Sequence, residues 1–228
     1  MRFRAVLFDA GGTLLFLDYP RLASGVGEAC GVALTEAALR AAAPAATREM
    51  ERVGGTDRDR AGRFLHALFT GAGVPPERWE DARSALHRLH AERHLWTGGD
   101  SETPGALERL RAAGVRLGVV SNSDGRVAEA LAAAGLAHLF EVIIDSHLAG
   151  VEKPDPRIFR IALDALGVVP EDTLYVGDLY EVDVLGARAA GLAAALVGVQ
   201  SGAAPEGVAS APSVGALIDR LLATGNLS

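Results

Sequence analysis

Three short apolar runs in this sequence end abruptly in side chains capable of chemistry. AVLFDAGGTLL (residues 5–15) stops at Asp9, GVVSNSDG stops at Ser121 and Asn122, and YVGDLYEVD stops at Asp178, with Asp183 five residues later. A fourth stretch, GVEKPDP, carries Lys153, the only lysine; the other 21 of the 22 basic residues are arginines. Clustered carboxylates hold a hard divalent cation such as magnesium, which prefers oxygen ligands and keeps several waters. A small hydroxyl, an amide, an ammonium and loop N–H groups suit a phosphate, and an aspartate in that setting can attack phosphorus to form an aspartyl-phosphate. One lysine in a chain that otherwise uses arginine points to a task for a compact ammonium that a planar guanidinium cannot do.

These residues need elements that bring them together. Apolar runs of Val, Leu, Ile and Ala recur at 5–8, 115–120, 142–144, 173–177 and 193–197, with little alternation, as in strands buried on both faces of a parallel sheet. Helical patterns lie between them. TPGALERLRAAG, DGRVAEALAAAG, DPRIFRIALDALG and EVDVLGARAAG each end in glycine, and the third opens on an Asp155 cap with Pro156 at its first position. The alternation predicts an α/β fold, a doubly wound parallel Rossmann-like sheet, in which ligands bind beyond the carboxyl ends of the strands. Residues 17–95 break the pattern with amphipathic helices and no strand-like run, too long for one crossover. They are expected to form an inserted helical cap, with 1–16 and 96–228 as the core and 200–212 as a surface loop before a last helix.

Composition narrows the function classes. Apolar residues make up 49% and charged residues 22% of the 228, enough for a substantial core, and the net charge is −7 with no basic block. That balance argues against nucleic acid or anionic membrane as a partner. No apolar run approaches the roughly 18 residues that span a bilayer, and MRFRAVLFDAGG turns polar too soon for a signal peptide. Cys30 is the only cysteine, so a reduced, cytoplasmic protein is expected. Monomer and homodimer both stay open.

FDAGGTLL, VVSNS, EKPDPRIF and VGDLYEVDVLGARAAG, in this order, resemble the four motifs of the haloacid dehalogenase-like (HAD) superfamily, and the helical insertion resembles the C1 cap of its subfamily I. The resemblance implies a hydrolase acting on a small phosphorylated metabolite. Asp9 would be the nucleophile. Lys153 would neutralise it and, with Gly12, Thr13, Ser121 and Asn122, bind the phosphoryl group. Magnesium would be held by Asp9, the Gly11 backbone carbonyl and Asp178, with Asp183 supporting it through water. Cap closure would exclude water and select the substrate. Gly11 departs from the pattern: phosphatases of the superfamily usually have a second aspartate there, which protonates the leaving group. Such help is typically worth about 10²–10⁴ in rate.

Two family branches also lack that aspartate. Phosphonate hydrolases use a cap lysine, and residues 17–95 contain none. The 2-haloacid dehalogenases need no metal and lack the acidic pair of the fourth motif, whereas Asp178 and Asp183 are both present and would repel Asp9 without a cation. A 2-haloacid dehalogenase and a non-catalytic pseudo-enzyme that binds a phospho-ligand or a partner are the alternatives to a magnesium-dependent phosphatase.

Each residue also has a plainer reading. Asp9 could cap a turn, Ser121-Asn122 could start a helix, and Lys153 could be a solvated loop charge. A dinucleotide loop at Gly11-Gly12 lacks the glycine fingerprint. His87, His90 and His94 share a helix face, a spacing open to a metal but more simply surface decoration. Arg40 is a candidate for a substrate carboxylate, Phe16, Asp18 and Tyr19 for substrate contact by position alone. Cys30 reads as buried and inert, and Asp124 and Glu181 as loop or helix-start charges.

Overall fold

The computed structural model describes residues 3–51, 55–198 and 204–225. In chain order the elements are β1 (Ala5–Phe8), β2 (Phe16–Leu17), α1 (Tyr19–Cys30), α2 (Glu36–Glu51), α3 (Asp57–Gly71), α4 (Trp79–Glu92), β3 (Trp96–Gly98), α5 (Thr103–Ala112), β4 (Arg116–Ser121), α6 (Val127–Ala133), β5 (Val142–Asp145), α7 (Ser146–Ala149), α8 (Pro156–Leu166), β6 (Thr173–Gly177), α9 (Leu185–Ala189), β7 (Ala193–Val197), β8 (Ala209–Ala211) and α10 (Val214–Thr224). They group into two compact units, Met1–Phe16 with Thr97–Ser228, and Leu17–Trp96.

The first unit is built on a parallel six-stranded sheet in the order β5-β4-β1-β6-β7-β8, with helices between the strands: the α/β, doubly wound class. β1 and β6 are buried along their whole length, as their unbroken apolar runs require. In register, Ala5 stands between Arg116 of β4 and Thr173 of β6. The chain adds strands on the β4 side of β1 and then returns to add them on the β6 side. The crevice of such a sheet therefore opens at the carboxyl ends of β1, β4 and β6. One face of the sheet is closed by Leu7, Val120, Tyr175 and Leu196 packing on Ile158, Phe159 and Leu163 of α8. That helix starts where Asp155 accepts from the Arg157 N–H with Pro156 following, and stops at Gly167 in the left-handed region.

One local expectation is corrected. Part of the segment 200–212 is not loop: Ala209–Ala211 forms β8 and extends the sheet beside β7. Its three small residues carry no strand-like pattern, and residues 200–203 lie outside those described. α5 is capped one turn upstream of Thr103, because Asp100 accepts from the Glu102 and Thr103 N–H groups and from the Thr103 hydroxyl.

The second unit is helical. α1 to α4 close over Leu22, Val26, Leu39, Phe64, Leu68, Phe69 and Leu86. Asp18 caps α1 by accepting from the Arg21 N–H at 3.2 Å and pairs with Arg93 at 2.6 Å. Both its oxygens are thus engaged within the helical unit. Arg40 is likewise committed there, stacked 4.8 Å from the Tyr19 ring centre and bonded to Glu36 at 2.7 Å. The rings of His90 and His94 lie 4.9 Å apart, while His87 is exposed. Among the described residues no helix is long and apolar enough to cross a membrane.

Candidate active site

The carboxyl ends of β1, β4 and β6 converge as the topology requires. Asp9 follows β1, its N–H bonded to the Val176 carbonyl, and is almost fully buried. The chain then folds tightly: the N–H groups of Thr13, Leu14 and Leu15 all point at the Ala10 carbonyl. Gly12 needs to be glycine for two reasons. Its φ is +82°, and an added Cβ would collide with the Asp178 carboxylate. We expect Gly12→Ala to cost about 1–3 kcal/mol, from the strained backbone and the displaced carboxylate; chemical denaturation measures it. Gly11, bridged to Leu15, lies outside the left-handed region, so its backbone accepts a side chain. Thr13 is buried, and its hydroxyl has no hydrogen-bond partner among the described residues.

Lys153 is 2% exposed and reaches into this cluster. Its ammonium donates to Asp9 Oδ1 at 2.6 Å, Asp183 Oδ1 at 2.8 Å and the Tyr175 hydroxyl at 2.8 Å. Three acceptors around one nitrogen match an ammonium and could not be met by a planar guanidinium. The Lys153 backbone is held by Asn122, whose side-chain oxygen accepts from the Lys153 N–H at 2.7 Å and whose amide donates to the Lys153 carbonyl at 3.0 Å. The Asn122 side chain therefore acts first on Lys153. Ser121, buried at the end of β4, donates among the described residues only a long 3.4 Å bond to the Asn122 carbonyl, so its hydroxyl is easily redirected.

Beyond β6, a π-type turn over Tyr180–Val184 swings Asp183 back beneath the loop. Asp183 Oδ2 accepts from the N–H groups of Asp178 and Leu179, at 3.1 and 2.9 Å. With Lys153 on Oδ1, this carboxylate is occupied in organising the loop. Asp178 differs, since its Oδ1 is buried and has no hydrogen-bond partner among the described residues.

Oxygens of Asp9, Asp178 and Asp183 all lie within 4.8 Å of one another. Burial raises the pKa of Asp9, Lys153 lowers it and Asp183 raises it again, to about 6. Burial, then Asp9 and Asp183, hold Asp178 well above the ordinary carboxylate range. For Lys153, burial alone would lower the pKa, but Asp183 and Asp9 more than offset it and the ammonium stays charged. Three carboxylates facing one ammonium leave a deficit of positive charge, and Asp178 Oδ1 has no donor among the described residues. An oxygen-loving divalent cation fits both features, with Asp9 and Asp178 as the groups able to hold it.

Two functional side chains escape the sequence reading. Asp145, at the end of β5, accepts from Gly125, Val127 and His147 N–H groups and thereby shapes the loop after Ser121. It ends an apolar run as Asp9 does, a signal that could have found it. Tyr175 sits inside an apolar run and carries no such mark.

The family model for haloacid dehalogenase-like hydrolases matches residues 3–191, and the chain belongs to this family. A phosphoserine phosphatase of Thermus thermophilus is 37% identical over 159 residues, 68% of this chain and 61% of that protein. The chain thus spans less than two thirds of that relative's length. A glyceraldehyde 3-phosphate phosphatase of Methanopyrus kandleri is 31% identical over 194 residues, 83% of this chain and 81% of that protein. Among solved structures, a HAD-hydrolase of Bacillus subtilis bound to magnesium is similar with a TM-score of 0.67 at 20% identity, covering 99% of this chain and 100% of that one, a likeness of fold.

Proposed function

We propose that this chain hydrolyses phosphate monoesters of small metabolites through an aspartyl-phosphate at Asp9, with magnesium as its cofactor. The observation that carries this is the buried Asp9 held at 2.6 Å by Lys153 beside Asp178 Oδ1, which has no hydrogen-bond partner among the described residues. The phosphatase names of the two relatives support the reaction class.

Lys153 takes Asp9 Oδ1, which leaves Oδ2 to attack phosphorus in line with the leaving oxygen. The new Oδ2–P bond forms as the P–O bond to the leaving group breaks, and the bond electrons leave with that oxygen. Water then attacks phosphorus and loses one proton to the solvent, the Oδ2–P bond breaks with its electrons returning to Asp9, and phosphate departs with Asp9 restored as a carboxylate, while the leaving oxygen takes up a proton from the solvent. Lys153 holds Asp9 in place, while the Ser121 hydroxyl is the donor for the phosphoryl oxygens. Magnesium, held by Asp9 and Asp178, supplies positive charge against the charge that spreads over the phosphoryl group.

Gly11 offers no proton, so the leaving oxygen departs without help from that position. Good leaving groups, such as acyl and aryl phosphates, suffer least from this. We therefore expect Gly11→Asp to speed hydrolysis of alkyl phosphates by about 10-fold or more and of p-nitrophenyl phosphate by much less. Steady-state rates on both substrates decide it, and an unchanged ratio contradicts the assigned role of this position. The reading as a whole is tested by phosphate release from p-nitrophenyl phosphate with magnesium, which EDTA should abolish; release that persists in EDTA contradicts the metal requirement.

A further inference from the structure

Tyr175 is a fully buried phenol that the steps above do not use. It projects from β6 on the face covered by α8, and its ring meets Phe159 edge-on with centres 4.9 Å apart. A phenylalanine would satisfy that packing. The hydroxyl nevertheless lies inside the charged cluster. It accepts from the Lys153 ammonium at 2.8 Å and donates its one proton to the Val120 carbonyl of β4 at 2.8 Å, across the intervening β1. The Asp183 oxygen is more distant, at 3.3 Å. With its proton on Val120, the hydroxyl turns its lone pairs towards Lys153.

We propose that Tyr175 is a positioning residue for phosphoryl transfer: anchored on the Val120 carbonyl, its hydroxyl fixes the Lys153 ammonium so that it holds Asp9 Oδ1 and leaves Oδ2 to attack. The flexible lysine stem needs such an anchor. Two of its three acceptors are the carboxylates of Asp9 and Asp183. A third carboxylate there would deepen the surplus of buried negative charge, so the third acceptor has to be neutral. A phenol, with an ordinary pKa of about 10, is neutral at working pH and meets that requirement. The proposal rests on the phosphatase reading, and the experiment separates the two.

Because Lys153 is the only lysine, labelling the protein with ¹⁵N-lysine gives a single side-chain ammonium signal. Tyr175→Phe removes one oxygen and keeps the packing ring. We expect kcat on p-nitrophenyl phosphate to fall about 10- to 100-fold, the value of one hydrogen bond to a charged group, with KM held within about twofold. The melting temperature should fall by only a few degrees, because the Lys153 ammonium and the Val120 carbonyl each lose a partner, and the variant should stay folded at the assay temperature. The ammonium resonance should shift, and its exchange with water should accelerate by about the same 10- to 100-fold factor. A kcat equal to wild type overturns the proposal, and so does an unchanged ammonium signal. A loss of activity matched by a loss of folded protein, with the ammonium unaltered, assigns Tyr175 to packing alone and also overturns it. If wild type itself releases no phosphate, the phosphatase reading falls, and the ammonium signal alone judges whether Tyr175 holds Lys153.

Discussion

Asp9→Asn should abolish phosphate release, lowering kcat by at least about 10⁴-fold, the scale on which a nucleophile working within a catalytic unit is missed. An amide oxygen is too weak a nucleophile to attack phosphorus, yet it still accepts a hydrogen bond from Lys153, so the surrounding geometry should persist. The variant should also melt no lower than wild type in the absence of metal. The folded state binds a proton at Asp9 more tightly than an ordinary carboxylate would, with its pKa raised to about 6 by burial. Above that pH the ionised Asp9 therefore works against folding, and asparagine removes the cost. Thermal melts beside activity assays check both halves. An Asp9→Asn protein that is inactive only because it is unfolded would leave the nucleophile unassigned.

Lys153→Met should do the opposite to stability. Asp9 and Asp183 lie 2.6 and 2.8 Å from its nitrogen, and both are buried. Removing the ammonium leaves these carboxylates facing each other without a counter-charge. Breaking a buried pair in this way costs about 3–5 kcal/mol, reduced as the carboxylates take up protons. Chemical denaturation at neutral pH reads it directly. Activity should fall below about a thousandth of wild type, because Asp9 loses its holder and the phosphoryl group loses a cation. Lys153→Arg should not restore it: three acceptors arranged around one nitrogen do not match a planar fork. Magnesium should recover part of the lost stability in Lys153→Met, since held by Asp9 and Asp178 it supplies positive charge to the same buried cluster. A variant as stable as wild type would mean that those carboxylates are already protonated and that the ammonium counts for little.

The α/β class was legible because β1 and β6 are unbroken apolar runs and because α8 announces both its ends, with Asp155-Pro156 at the start and Gly167 at the finish. Asp9, Ser121 and Asp178 could be placed together because parallel strands deliver their carboxyl ends to one edge. What the sequence hid are relations that exist only through the fold. β8 is three small residues whose sole reason to extend is the free edge of β7. Tyr175 reads as core within TLYVG, since nothing in its neighbours shows that its hydroxyl will meet a lysine 22 residues away. The resemblance gives Asp183 a supporting place beside the metal through water; that its oxygens also accept from backbone N–H groups of the loop and from Lys153 shows only in the fold. Asp18 and Arg40, singled out by position and residue type, are taken up by Arg93, Glu36 and Tyr19 within the helical unit.

The central claim is that Asp9 carries the phosphoryl group. Its most direct test is an acid quench of the enzyme during turnover of p-nitrophenyl phosphate with magnesium, followed by pepsin digestion at acid pH, where an acyl phosphate survives, and mass analysis of the peptide that contains Asp9. The account predicts that this peptide gains the mass of one HPO₃, located on Asp9, and that neither Asp9→Asn nor enzyme treated with EDTA shows the gain. Phosphate released with the peptide unmodified, or with the phosphoryl group on another residue, would contradict it.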